Sequence, residues 1–119
     1  MAYEWIEAFC LAMTGVTKDY QPEWGAVRYH VGGKLFAMHM TDKDGKPIFT
    51  LKLEPLRGDL LRQQYAPHIV PGYYMNKLHW NSLYLEGDVP DDVVEGMIRE
   101  AYRLVLGSLS KKAQAEIAG

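Results

Sequence analysis

The sequence holds little of what marks several familiar classes of protein. A single cysteine, Cys10, among 119 residues excludes an internal disulfide framework and a cluster of metal-binding thiolates. No apolar run approaches the ~20 residues needed to cross a bilayer, and Glu4 and Glu7 stand where a signal peptide would carry basic residues. We therefore expect a cytoplasmic protein without a membrane partner.

Motifs for catalysis and for metal binding are also missing from the sequence. The four histidines stand singly and form no His-x-x-x-His pair: His30, His39, His68 and His79. Gly32-Gly33-Lys34 lacks the frame of a phosphate-binding loop, and there is no Gly-x-Ser-x-Gly motif of a serine hydrolase. We expect no enzymatic activity, no metal and no cofactor, and we interpret Cys10 as a buried structural thiol.

The overall charge is small, but its distribution along the chain is uneven. The length predicts a single domain over residues 1–119, and a formal net charge of -2 excludes a polycation. Residues 1–27 carry one basic residue against four acids, residues 28–77 carry eight against four, and residues 78–119 carry four against seven. A phosphate-binding surface would have to come from this basic middle, unless its lysines and arginines only solvate exposed strands.

Two turn signals in the middle of the chain predict a three-stranded antiparallel meander. Gly32-Gly33 and Asp44-Gly45 are each expected to close a two-residue hairpin that pairs the residues directly flanking it. In that register Met38 faces both Val27 and Leu51. The predicted core face carries Val27, Tyr29, Phe36, Met38, Met40, Phe49, Leu51 and Leu53. The predicted opposite face carries Arg28, His30, Leu35, Ala37, His39, Ile48, Thr50 and Lys52.

Helical patterns flank this meander. A helix over residues 2–13 would bury an apolar stripe that includes Trp5, and a short helix from Pro55 would bury Leu56, Leu60, Leu61 and Tyr65. After a strand over residues 79–85, a long helix begins at Pro90 and buries Val94, Met97, Ile98, Ala101, Leu104 and Val105. Ser110 is expected to cap one further short helix. The predicted architecture is α+β, with helices covering one face of a mostly antiparallel sheet.

Residues 71–81 are rich in aromatic and polar side chains around a loop. Aromatic rings with interleaved polar groups can stack on bases and contact phosphates. In the structural alternative, Trp80 fills the edge of the core and Asn76 ties down the loop through side-chain hydrogen bonds. The charge of Lys77 would still need solvent or an anion.

Several segments, spread over nearly the whole chain, are characteristic of one known family. They are the N-terminal helix, the hairpins from Trp24 to Leu53, Leu60-Leu61-Arg62-Gln63-Gln64, Met75-Asn76-Lys77-x-His79-Trp80-Asn81, Tyr84-Leu85-Glu86-Gly87 and the closing helix with Ala101-Tyr102. On these segments the sequence resembles the MmcQ/YjbR family of small bacterial proteins. The resemblance implies an α-β(3)-α-β(2)-α fold, similar to that of type III secretion chaperones. It also implies DNA binding through a double-wing arrangement of hairpins, and it brings no catalytic residues.

Two functions from different classes follow as expectations. In the first, the protein binds DNA weakly and without sequence preference, through phosphate contacts from the basic hairpin face. The expected DNA-contacting residues are Arg28, Lys34, Lys43, Lys46, Lys52, Lys77, His79 and Trp80. In the second, the open sheet face is a protein-interaction surface that pairs two copies or holds an extended client segment. A small ligand bound by the loop from Tyr73 to Trp80 is a third alternative.

Overall fold

The structure, a computed structural model, describes residues 3–73 and 75–119. Within these residues the elements are α1 (Ile6–Ala12), β1 (Val16–Gln21), β2 (Ala26–Val31), β3 (Lys34–Thr41), β4 (Pro47–Lys52), α2 (Pro55–Gln64), β5 (Ile69–Pro71), β6 (Trp80–Tyr84), α3 (Asp91–Gly107) and α4 (Lys111–Ala118). The strands form one antiparallel sheet in the order β1-β2-β3-β4-β6-β5. The predicted α+β fold is confirmed.

The sheet contains one strand more than the order α-β(3)-α-β(2)-α implies. The additional strand is β1, an edge strand whose four central residues, 17–20, are exposed. Because it buries so little, β1 lacks the apolar alternation by which a half-buried strand is recognised in a sequence. The first helix is shorter than the predicted span of residues 2–13, and Ala2 of that span lies outside the described residues.

The first hairpin begins as predicted and then departs from the predicted register. Gly32 and Gly33 have φ of 58° and 78°, the left-handed values that a two-residue type I′ turn requires. The register then jumps, so that His30 pairs with Leu35 but Tyr29 pairs with Ala37. Phe36 is thus the extra residue of a β-bulge, and every later residue of β3 is shifted by one position.

The second hairpin closes with a three-residue loop, so the predicted pairing of Lys43 with Lys46 is wrong. Thr41 pairs with Pro47, and the loop between them is closed by hydrogen bonds between Asp42 and Lys46. Gly45 follows the turn with φ of 81°, which is the usual geometry of such a loop.

The two departures together overturn the predicted position of Met38. Met38 lies opposite Arg28 and Thr50 rather than opposite Val27 and Leu51. It therefore belongs to the face of the sheet that the helices do not cover.

The sheet is buried on both faces, by two separate apolar clusters. The larger core lies under the helices, with α3 packed across β2, β3 and β4. From the sheet it contains Tyr29, Val31, Phe36, Ala37, Phe49, Leu51, Ile69 and Leu83. The smaller cluster on the other face contains Ala26, Met38, Met40 and Ile48. We call that second side the open face, because no helix packs on it within the described residues.

Two residues predicted on the open face lie on the helix side instead. Ala37 is fully buried in the larger core. The ring of His39 lies 5.7 Å from that of Tyr29 and 4.8 Å from that of Phe49, between centroids. Burial lowers the pKa of His39 and favours its neutral form. Ala37 and His39 both lie on the helix side because the register of β3 shifts by one position at Phe36.

The helices match their predicted apolar stripes to different degrees. In α3 the predicted residues are buried except Leu104, which is half-buried. Of the four residues predicted to be buried by the helix from Pro55, Leu61 is buried and Tyr65 is half-buried, whereas Leu56 and Leu60 are exposed. The Ser110 hydroxyl accepts a hydrogen bond from the backbone N–H of Ala113 (3.1 Å), as expected for a capping residue.

We expect Phe36→Ala to lower the free energy of unfolding by about 3–5 kcal/mol, the usual cost of removing a buried phenylalanine ring. Phe36 is 0% exposed, and its ring lies edge-on to Tyr102. Leu56→Ala is the control, since Leu56 is 72% exposed and should change stability by less than about 0.5 kcal/mol. Urea denaturation measures both values. Equal losses in the two variants would contradict the assignment of Phe36 to the core.

Candidate functional site

The lysines predicted to contact DNA lie at two opposite ends of the sheet. Lys34 follows the β2–β3 turn and Lys52 ends β4, so these two residues share one end. Lys43 and Lys46 lie in the β3–β4 loop at the other end, roughly 25 Å away along β3. The structure therefore does not bring the four lysines together on one surface.

Arg28 lies between these ends on the open face, but its charge is already paired. Its guanidinium donates two hydrogen bonds to the carboxylate of Asp19 on β1, at 2.8 and 2.7 Å. The hydrogen bonds from Arg28 hold the pKa of the Asp19 carboxyl below its usual range. The guanidinium also lies over the indole ring of Trp24, with 5.4 Å from Cζ to the centroid. Sequence reasoning missed Asp19 because β1 itself was not predicted.

The other residues predicted to contact DNA are Lys77, His79 and Trp80. They lie in or beside the loop of residues 72–79, and they stabilise this loop. The Lys77 ammonium donates a hydrogen bond to the carbonyl of Gly72 (3.0 Å). The carbonyl of His79 accepts a hydrogen bond from the backbone N–H of Leu53 (2.8 Å). Trp80 is buried, with 8% of its surface exposed.

These positions agree with the structural alternative, in which Trp80 is buried and Asn76 ties down the loop. The Asn76 side chain accepts a hydrogen bond from the backbone N–H of Leu78, which ties down the loop as expected. Tyr74, part of the aromatic stretch, lies outside the described residues.

The loop 72–79 folds back over the open face of the sheet. Tyr73 donates a backbone hydrogen bond to the Ser82 hydroxyl (3.2 Å), and its own hydroxyl lies 3.0 Å from that of Tyr84. Met75 packs against the cluster that contains Met38 and Met40. The sheet thus acquires a partial second layer.

A cleft of about 480 Å³ remains on the open face, between the β1–β2 turn and this loop. Its lining residues are Glu23, Trp24, Met38, Met40, Thr41, Asp42 and Met75. Three thioethers and an indole thus provide the apolar walls, and two carboxylates and a hydroxyl provide the polar groups. None of these residues was predicted as a site residue, because the predicted register placed Met38 and Met40 in the main core.

Asp42 is the most firmly held polar group of the cleft. Its Oδ1 accepts the backbone N–H groups of Asp44 and Lys46, both at 2.9 Å, and its Oδ2 accepts the hydroxyl of Tyr84 at 2.8 Å. Burial by itself would raise the pKa of this carboxyl, but the hydrogen bonds outweigh burial and lower it. Asp42 is therefore an ionised carboxylate in a fixed position at neutral pH.

The chemistry available elsewhere in the described residues is limited. Burial raises the pKa of the Cys10 thiol to about 12, so the thiol stays protonated, as expected of a structural cysteine. Within residues 3–73 and 75–119, no three side chains of histidine, cysteine, aspartate or glutamate converge as metal ligands. The helices in these ranges are all too short or too polar to cross a membrane.

We expect Asp42→Asn to destabilise the protein at neutral pH and to have a smaller effect in strong acid. The folded-state pKa of Asp42 lies below its ordinary value, so the ionised form stabilises the fold above that value. This contribution is lost as the pH falls through the folded-state pKa. Urea denaturation at neutral pH and in strong acid measures the loss in the free energy of unfolding. Asp44→Asn, an exposed carboxylate in the same loop, is the matched control. An equal loss of stability for Asp42→Asn at both pH values would contradict the expectation.

Comparisons of sequence place the chain among small bacterial proteins. The YjbR family model matches residues 11–104. The uncharacterized protein YjbR of Escherichia coli K12 is 30% identical over 104 residues, which covers 87% of this chain and 86% of YjbR. The uncharacterized protein YbdF of Escherichia coli O157:H7 is 36% identical over 89 residues, which covers 75% of this chain and 71% of YbdF.

Comparisons of structure agree. A Deinococcus radiodurans crystal structure with the domain DUF419 superposes with a TM-score of 0.87 at 25% identity, covering 98% of this chain and 88% of that one. A Pseudomonas syringae crystal structure has the same fold, with a TM-score of 0.73 at 20% identity, covering 88% of this chain and 99% of that one. The sequence match and the shared fold lead to one conclusion: the chain belongs to the YjbR family.

Proposed function

We propose that the protein binds a small organic ligand with an apolar body, without covalent chemistry, in the cleft on the open face. The observation that carries this proposal is the cleft itself. Its volume of about 480 Å³ lies within the ~300–1,000 Å³ typical of sites for small molecules. Methionine side chains such as Met38, Met40 and Met75 adapt to ligands of different shape, which suits a binding wall.

The remainder of the open face supports a small ligand better than a protein client. Ile48 and Met38 are almost fully covered, and Leu35 is half-buried. Ala37, expected on this face, lies on the other side of the sheet. A client segment needs a row of accessible apolar positions, whereas the described apolar residues of the open-face cluster are buried or half-buried, and only the Trp24 ring beside them is half-exposed.

We expect the neutral fluorescent probe N-phenyl-1-naphthylamine to bind one site per chain, with a dissociation constant on the order of 10⁻⁴ M. That value follows from about 0.3 kcal/mol per non-hydrogen atom for a ligand of this size. Trp24→Ala should weaken binding about tenfold, because it removes roughly 1.4 kcal/mol of apolar contact. A fluorescence titration measures both.

Tyr20→Ala is the matched control for this titration. Tyr20 is an exposed aromatic residue on β1 that does not line the cleft, so its removal should leave the affinity unchanged. Equal affinities for Trp24→Ala and Tyr20→Ala would place the probe elsewhere and contradict the proposal.

Weak DNA binding is a second candidate function, and one specific observation favours it. Lys34 and Lys52 lie at the same end of neighbouring strands, and neither forms a salt bridge with a described residue. Two unpaired cations at one sheet end could release counterions from a phosphate backbone. Arg28 contributes little to this surface, because Asp19 already balances its charge.

For this candidate we expect non-specific affinity of roughly 10⁻⁴–10⁻⁶ M at physiological salt, falling steeply as salt is added. Replacing both Lys34 and Lys52 with Ala should weaken binding equally for unrelated sequences, since phosphate contacts carry no base information. Arg28→Ala should change little, as should Arg99→Ala on α3, where Arg99 pairs with Glu95. Salt-dependent titrations with duplex DNA measure these affinities, and absence of binding at low salt would exclude this candidate.

A further inference from the structure

The charged side chains that line the open-face cleft are all of one sign. Glu23 comes from the β1–β2 turn and Asp42 from the start of the β3–β4 loop, and the lining residues that the structure describes include no lysine, arginine or histidine. We propose that the ligand of this cleft is an organic cation, an amine or quaternary ammonium group on an apolar body. This inference rests on the proposed function, because it names the chemical class of the ligand that the cleft binds.

The basic groups that interact with lining residues, Arg28 with Trp24 and Lys46 with Asp42, do not cancel the negative charge of the cleft. The Arg28 guanidinium lies over Trp24, but both oxygens of Asp19 hold it, so this pair adds no net charge. Lys46 attracts the Asp42 carboxylate electrostatically, yet its side chain is exposed and outside the lining. Solvent therefore screens Lys46 more strongly than it screens a charge inside the cleft.

Asp42 is organised to receive a positive charge before any ligand arrives. Three hydrogen bonds fix its carboxylate, so binding a cation requires little rearrangement there. An ionised carboxylate offers about four acceptor positions, and three of them are occupied. Within the described residues the fourth position has no hydrogen-bond partner, and we expect a ligand's N–H group or a bridging water to occupy it.

The apolar walls suit a cation as well as a hydrocarbon. An indole ring attracts cations to its face, and the position of Arg28 over Trp24 is an instance within this structure. Trp24 remains 50% exposed and lines the cleft, so part of its surface is accessible to a ligand there. The polarizable sulfur atoms of Met38, Met40 and Met75 can contact the methyl groups of an ammonium ion. A phosphate or carboxylate ligand would meet two like charges instead.

Three probes that share one apolar body test the charge preference directly. They are 4-phenylbutyltrimethylammonium, 4-phenylbutanol and 4-phenylbutanoate, titrated into the ¹⁵N-labelled protein and followed by amide chemical shifts. We expect the cation to bind about tenfold more tightly than the alcohol, and the carboxylate to bind most weakly. The difference should shrink as salt is added, because the ionic contribution is partly screened.

A charge-neutralising variant identifies the residues responsible. Glu23→Gln should weaken binding of the cation about threefold, an effect typical of an exposed charge, and leave binding of the alcohol unchanged. Glu116→Gln on α4 makes the same charge change outside the cleft and should affect neither probe.

The outcomes separate this inference from the proposed function. Equal affinity for all three probes, or tightest binding of the carboxylate, would overturn the cation preference while the cleft remained a binding site. If none of the three probes shifted the amides around the cleft, the proposed function itself would fail. Loss of cation affinity in Glu116→Gln equal to that in Glu23→Gln would also overturn the inference, since it would mean that only net charge matters.

Discussion

One extra residue in β3 determines the distribution of side chains over the whole sheet. The bulge at Phe36 places both Phe36 and Ala37 on the helix side. As a result, Met38 and Met40 lie on the open face. The three-residue loop after Asp42 then aligns β4 with the shifted strand, so that Leu51 still enters the main core. Without the bulge, Met38 and Met40 would lie on the helix side, and the open face would lose these two apolar side chains.

The apolar residues on the open face explain why the sheet carries a partial second layer. Met38, Met40 and Ile48 are apolar side chains on a face without helices, and burying them removes apolar surface from water. The loop 72–79 does so with Tyr73 and Met75, and the buried Thr50 and Ser82 hydroxyls satisfy each other by a hydrogen bond. The loop and the β1–β2 turn do not meet completely, and the cleft is the space that they leave.

The sequence identified the fold class, the helix α3, the capped helix α4 and the position of the first turn, because each has a local signal. It could not identify the register. Residues 35–38 are all apolar, and β4 is buried along both faces, so neither strand has the alternation that distinguishes one face from the other. A bulge within such a run leaves no mark on the pattern of apolar and polar residues.

The residues of the candidate site could not be predicted from the sequence, for a related reason. Its lining residues come from one turn, one strand and two loops, and no local pattern connects Trp24 with Met75. Sequence reasoning correctly found that the middle of the chain is basic. It could not foresee that Asp19, on a strand with almost no apolar character, would pair with Arg28.

The polar strand β1 has a consequence for the protein's behaviour in concentrated solution. As the outermost strand it presents unpaired backbone groups, which can recruit a strand from another molecule and begin aggregation. Both of its central charges are engaged, Lys18 with Glu7 of α1 and Asp19 with Arg28 of β2. An incoming strand would have to pack beside these ion pairs and lose some of their hydration. The carboxylate that balances the charge of Arg28 thus also protects the edge of the sheet.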